Sequence, residues 1–230
     1  MTLAQIITKF ANQKLSEDND WYCWRPMNTR TLPSGVSLPV GNQYTKNVAL
    51  KLQLNQLWTA ADRNQRFDLA KYYVSTWGGV RGNKDSTLMK YVLETPTSMI
   101  GDGIKGIASW SKVLCIRNPR KYAIFDARVS TALNCSQIIG GVRNGELFPL
   151  LAGQNQTIKG ANAKIKAHAQ AHGWSDIDRS KCYKIYLDLI NNVARTCKLK
   201  DTQIYTIEML LFSYAEILVA KAFPSEKFKL

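Results

Sequence analysis

Ile204-Tyr-Thr-Ile-Glu-Met-Leu-Leu-Phe-Ser-Tyr-Ala-Glu-Ile-Leu-Val-Ala-Lys-Ala-Phe223 decides the fold class. Ile204, Ile207, Leu211, Tyr214, Ala215 and Leu218 recur at the three- and four-residue steps that line up on one side of an α-helix. Asp201 or Thr202 offers a side-chain cap at its start, so a central helix is expected over residues 202–222. The same spacing predicts helices over residues 2–15, 48–60, 66–76, 85–94, 104–117, 126–134, 159–172 and 179–196. Alternating apolar and polar runs are nearly absent. The chain therefore reads as all-α.

Two stretches break the periodicity. Residues 25–47 carry Pro26, Pro33, Gly35, Pro39 and Gly41, as a long surface crossing would, and residues 140–160 carry Gly140, Gly141, Gly145, Pro149 and Gly153. The second stretch suggests two lobes inside a single domain of residues 1–230: a core lobe over about 65–140, and a second lobe made of residues 1–64 and 141–230.

Composition narrows the partner. Lys and Arg total 31 against 17 Asp and Glu, a formal charge of +14, while 45% hydrophobic residues leave enough apolar surface for a core. This excess of cations points to a polyanion, and nucleic acid fits better than a membrane because no basic amphipathic helix or lipidation motif stands out. Glu208, Glu216 and Lys221 make the most apolar segment a poor membrane span. Five scattered cysteines without a C-x-x-C pair, and no basic leader, suggest a reducing cytoplasm and a monomer that folds alone. His168 and His172 have the spacing of a metal pair but no third ligand nearby, so neither metal nor cofactor is expected.

The chemistry-bearing region runs Gly101-Asp-Gly-Ile-Lys-Gly-Ile-Ala-Ser-Trp-Ser-Lys-Val and continues, past Pro119, as Arg120-Lys-Tyr-Ala-Ile-Phe-Asp-Ala-Arg-Val129. Gly101 and Gly103 form a G-x-G turn before a helix, where free N–H groups and the helix dipole could receive a phosphate. Lys105, Lys112, Arg117, Arg120, Lys121 and Arg128 oppose the single acid Asp126 between residues 103 and 128. Asp126 stands at a helix start, where an N-cap is the ordinary role of an aspartate. On the preceding helix Lys105, Ser109 and Lys112 share one face.

Ser111-Lys112-Val, a helix, a proline and then Ile124-Phe-Asp126-Ala-Arg-Val resembles the helix-hairpin-helix DNA glycosylase superfamily, in particular its 8-oxoguanine glycosylase-like branch. The resemblance extends loosely to Trp77-Gly-Gly-Val and to Ile207-Glu-Met-Leu-Leu-Phe, covering about residues 65–220. It implies a two-lobed helical fold and a DNA glycosylase, with a lysine Schiff base for abasic-site lyase activity in bifunctional members. Asp126 maps onto the aspartate that assists attack at the sugar. Lys112, 14 residues before it, or Lys105, 21 residues before it, maps onto the nucleophile. Gly101, Gly103, Lys105, Arg117, Arg120, Lys121 and Arg128 would contact DNA. Trp110, Tyr122, Phe125, Phe212 and the carboxylate of Glu208 would line the pocket for a flipped base. Repair of an oxidised purine and attack on modified bases of phage DNA both fit. A non-catalytic basic DNA-binding protein on the same scaffold is the alternative, although a pure binder gains nothing from a carboxylate near phosphates.

Overall fold

The structure, a computed structural model, describes residues 1–16, 19–24 and 26–224. The predicted crossing at 25–47 therefore begins, at residue 25, outside the described residues. Ten α-helices lie among the described residues: α1 (Leu3–Lys14), α2 (Gln43–Ala60), α3 (Arg63–Lys71), α4 (Asp85–Leu93), α5 (Pro96–Gly101), α6 (Ile107–Arg117), α7 (Ala127–Ile139), α8 (Gln156–Ala171), α9 (Cys182–Thr196) and α10 (Ile204–Ala222). Two short strands, β1 (Glu146–Leu147) and β2 (Ser175–Asp176), pair in parallel. The fold class is all-α, and none of the described helices is long and apolar enough to cross a membrane.

Local signals explain most starts. Thr2 and Asp62 cap α1 and α3 through capping boxes with Gln5 and Gln65, and Asn42 and Asn155 accept from the amides of Thr45 and Ile158 at the starts of α2 and α8. α10 departs from expectation: Asp201 sits at φ +58°, and Gln203 takes the cap position without a side-chain bond. Its stability comes from burial, since every residue from Ile204 to Leu211 is buried. A helix buried on all sides over its first two turns belongs in the middle of a protein.

Packing sorts the helices into two groups, α2, α3, α4 and α6 on one side and α1, α7, α8, α9 and α10 on the other. Both expected boundaries shift: one falls in the link between α6 and α7, earlier than residue 140, because α7 lays its length against α10, and the other falls before α2, which packs on α3 and α6 and not with the rest of residues 1–64. Glycines after α7 mark only its end. Two further elements escape the sequence pattern. α5, six residues begun by Thr95 and Pro96, is too short for periodicity to show. After α3 the chain widens into a π turn over Tyr72–Trp77, in which the amide of Gly78 donates to the carbonyl of Tyr73. Wide turns of this kind recur at functional sites.

Candidate functional site

Residues 122–125 of the link from α6 to α7 are buried but not helical, so their backbone needs partners from elsewhere. Side chains supply them. The hydroxyls of Tyr183 and Tyr186 on α9 donate to the carbonyls of Ala123 and Ile124, both at 2.8 Å, and the amide of Phe125 donates to Ser111 Oγ at 3.1 Å. Asp126 is thereby delivered to the first turn of α7, where its Oδ1 accepts from the amides of Arg128 and Val129. The capping role is real. Both bonds use Oδ1, and among the described residues no hydrogen bond or ion pair engages Oδ2.

Asp126 opens onto a small cavity of about 40 Å³ where the two helix groups meet. α6 contributes Lys112, the π turn contributes Trp77 and Gly78, and α10 contributes Glu208 and Phe212. Tyr22 and Trp24, from the segment after α1, and Ile124 complete the wall. Trp77 is held by its stack on Tyr73, with centroids 4.3 Å apart, and by an indole N–H bond to Asn47. Trp24 and Trp77 also border a much larger outer cleft of about 810 Å³, which runs past Met27, Tyr72 and Arg81. The indoles thus stand between the outer cleft and the smaller chamber.

Burial controls the charges here. Lys112 is 3% exposed, and its ammonium donates to the carbonyl of Ala108 at 2.7 Å. Desolvation pulls its pKa below the ordinary lysine value, opposed by the carboxylates of Asp126 and Glu208. Glu208 is equally buried and its pKa is pushed up by desolvation, opposed chiefly by Lys51, whose Nζ lies 3.2 Å from Oε2. Tyr22 is pushed well up, first by burial and then by Glu208, so its phenol stays protonated. Cys115, one turn beyond Lys112, is pushed up to about 12 by burial and is no thiolate nucleophile at neutral pH.

The expected site residues divide. Asp126, Lys112, Glu208 and Phe212 meet at the cavity. Lys105 does not line it: α6 begins only at Ile107, so Lys105 lies exposed in the turn between α5 and α6 rather than on a helix face shared with Lys112. Trp110 and Phe125 lie in the core, against Tyr183 and Tyr186 respectively, and Tyr122 is buried beneath Lys121. These three aromatics follow the ordinary tendency of rings to bury.

Among the expected DNA contacts, Lys105, Arg120 and Lys121 are exposed. Arg117 is drawn inward, with Nη1 donating to the carbonyl of Glu94. Arg128 bonds the carbonyl of Phe212 and the carboxylate of Glu216, and its guanidinium lies 5.0 and 4.9 Å from the ring centres of Trp24 and Phe212. The G-x-G turn also differs from expectation. Gly101 ends α5, the amide of Gly103 donates to the carbonyl of Ile100, and Gly106 at φ +69° starts α6. Gly103 itself, at φ +66°, passes so near Arg179 that a β-carbon would stand 3.1 Å from that residue's carbonyl oxygen. Its amide is committed inside the turn.

Tyr22, Trp24, Trp77, Gly78 and Lys51 are the participants that helix patterning passes over. The run Trp21-Tyr-Cys-Trp24, dense in aromatics within an aperiodic stretch, and the Trp77-Gly78 pair at a helix end were the available signals. Lys51 carried none, because α2 mixes Asn47 and Lys51 with Leu50 and Leu54 on its buried side and shows no apolar stripe from which a buried lysine would stand out. Among the described residues no cluster of His, Cys, Asp and Glu could hold a metal ion. Comparison with protein-family models, with curated proteins and with solved structures gives no match to this chain.

Proposed function

We propose that this protein is a DNA glycosylase of the helix-hairpin-helix type that flips a damaged or modified base out of double-stranded DNA and cuts its N-glycosidic bond. One observation carries the reading: a desolvated lysine, Lys112, and a helix-capping aspartate, Asp126, share one aromatic-walled cavity. On this reading α5, the turn over residues 102–106 and α6 stand in for the hairpin that the resemblance implies.

The residue types suit the chemistry. Departure of the base leaves positive charge on the deoxyribose, which the open Oδ2 of Asp126 stabilises. Burial favours the neutral amine of Lys112, the form that attacks C1′ to yield a Schiff base and then strand cleavage. Lys112 is preferred over Lys105 because it lines the chamber. Lys105, Arg120 and Lys121 are placed to bind phosphates as exposed cations.

A borohydride-trapping assay on duplexes carrying modified bases and abasic sites, run without added metal, tests the proposal. A covalent protein–DNA adduct in the parent, lost in Lys112→Gln, is the expected result. Base release without any adduct would make the enzyme monofunctional, with water as nucleophile. Neither release nor adduct on any modified duplex would leave the non-catalytic DNA-binding reading.

A further inference from the structure

Lys112 shares its chamber with two carboxylates, Asp126 and Glu208, yet among the described residues it forms an ion pair with neither. Its Nζ donates to the carbonyl of Ala108 instead. Both carboxylates are engaged elsewhere: Oδ1 of Asp126 accepts from the first amides of α7, and Oε2 of Glu208 lies 3.2 Å from Nζ of Lys51. Lys51 stands outside the chamber wall, on α2. Its ammonium is 5.6 Å from the ring centre of Trp77, whose indole N–H bonds Asn47 one turn earlier on the same helix. One buried lysine is thus paired while the other, at the reacting position, is left without a carboxylate.

Resting on Lys112 as the nucleophile of the excision reading, we propose that Lys51 is a positioning residue for the reaction: by taking up the carboxylate of Glu208 it keeps that group from holding Lys112 as an ammonium, and so leaves the Lys112 amine free to attack. Charges separated by a few ångströms of protein interior interact far more strongly than in water, so the choice of partner decides which lysine keeps its proton. Burial is the first cause that lowers Lys112; Asp126, Glu208 and Cys115 act against it, and Lys51 acts with it. Cys115 remains a thiol, pushed up to about 12, and burial pushes up the phenols of Tyr22 and Tyr73, which leaves Asp126, Glu208 and Lys51 as the charges that act on the amine at neutral pH. Asp126 is fixed by its cap. Without Lys51, the carboxylate of Glu208 has Lys112 as the remaining lysine of the chamber.

The test reads the protonation of Lys112 in the free protein, where no DNA chemistry is involved. The full chain, isotope-labelled at its lysine ε-carbons, is titrated by NMR, and the Lys112 signal is the one missing from Lys112→Met. Lys51→Met is expected to raise the midpoint by about one pH unit or more, Glu208→Gln to lower it by a similar amount, and the double variant to fall between them. Borohydride trapping on an abasic duplex should follow: about tenfold slower at neutral pH in Lys51→Met, with the parental plateau regained at higher pH. Trimethylamine N-oxide in every sample favours the folded chain, and each single variant tests the proposal without the other. A midpoint that stays in place in either folded single variant, shifts of both in one direction, or trapping slowed equally at every pH would overturn the proposal. Midpoints that move as stated in a protein forming no adduct with any duplex would uphold the action of Lys51 on Lys112 and show separately that the excision reading fails.

Discussion

The stem of Lys112 lies directly against the α-carbon of Gly78: a β-carbon there would stand 2.7 Å from Cε and 2.9 Å from Cδ of the lysine. The carbonyl oxygen of Val74, in the π turn, would be 2.8 Å away on another side, so the position has no slack. The π turn and this glycine thus set where the amine can stand. Gly78→Ala is expected to lower the trapping rate by about a hundredfold, the cost of displacing a reacting group by about an ångström, while DNA affinity holds. Single-turnover trapping alongside a binding titration checks both halves, and an unchanged trapping rate would show that Gly78 does not position the amine.

Asp126 carries two roles that substitutions can separate. Asn retains the cap, so Asp126→Asn should unfold within about 0.5 kcal/mol of the parent, whereas Asp126→Ala should lose about 1 kcal/mol. Base release should disappear in both. Urea unfolding and an excision assay on the same preparations decide it. Activity that follows stability, intact in Asn and reduced only in Ala, would reduce Asp126 to a cap.

Lys112 should impose a pH dependence with a defined sign. Its pKa is lowered by burial, so the amine becomes neutral and adduct formation reaches its plateau below the ordinary lysine value of 10.5. Between the lowered value and 10.5 the unfolded chain binds more protons at this site than the folded one, so this residue's contribution to stability rises with pH across that interval. Lys112→Met should flatten that part of the stability profile, as measured by urea unfolding at a series of pH values.

The Lys51–Glu208 pair is buried at both ends, with side chains 1% and 3% exposed. Removing one partner strands a charge, so Lys51→Met should cost about 3–5 kcal/mol of unfolding free energy. Adding Glu208→Gln should return a substantial part of it. A double-mutant cycle by denaturant unfolding measures the coupling, and additive losses would show that the two side chains do not act as a pair.

DNA affinity should fall with salt in proportion to the phosphates neutralised. Replacing exposed Arg120 or Lys121 by Ala is expected to reduce the slope of log K against log salt by about 0.9 each. Arg128→Ala should instead lower stability and leave the slope unchanged, because its guanidinium is spent on Phe212, Glu216 and two aromatic rings. Fluorescence anisotropy over a salt series distinguishes the two kinds of arginine.

What the sequence determined by itself was the local register. Helical spacing of apolar residues is a property of each segment alone, so the all-α class and nine of the ten helices among the described residues were readable, with ends off by up to about five residues. Asp126, Lys112, Glu208 and Phe212 were grouped only by the resemblance, with Lys105 as the alternative to Lys112; that the four line one cavity is a fact of the tertiary structure. Tertiary structure decided the rest. Whether a ring faces the core or a cavity depends on what packs against it, which is why Trp110 and Phe125 proved to be core while Trp24 and Trp77 form the wall. Whether a cation is free or committed depends on carbonyls and carboxylates distant in the chain: Arg128 finds its partners 84 and 88 residues away. The pairing of Lys51 with Glu208 spans the two helix groups and leaves no trace in the spacing of either helix, because the reason for it, two charges excluded from water together, exists only once the groups have closed.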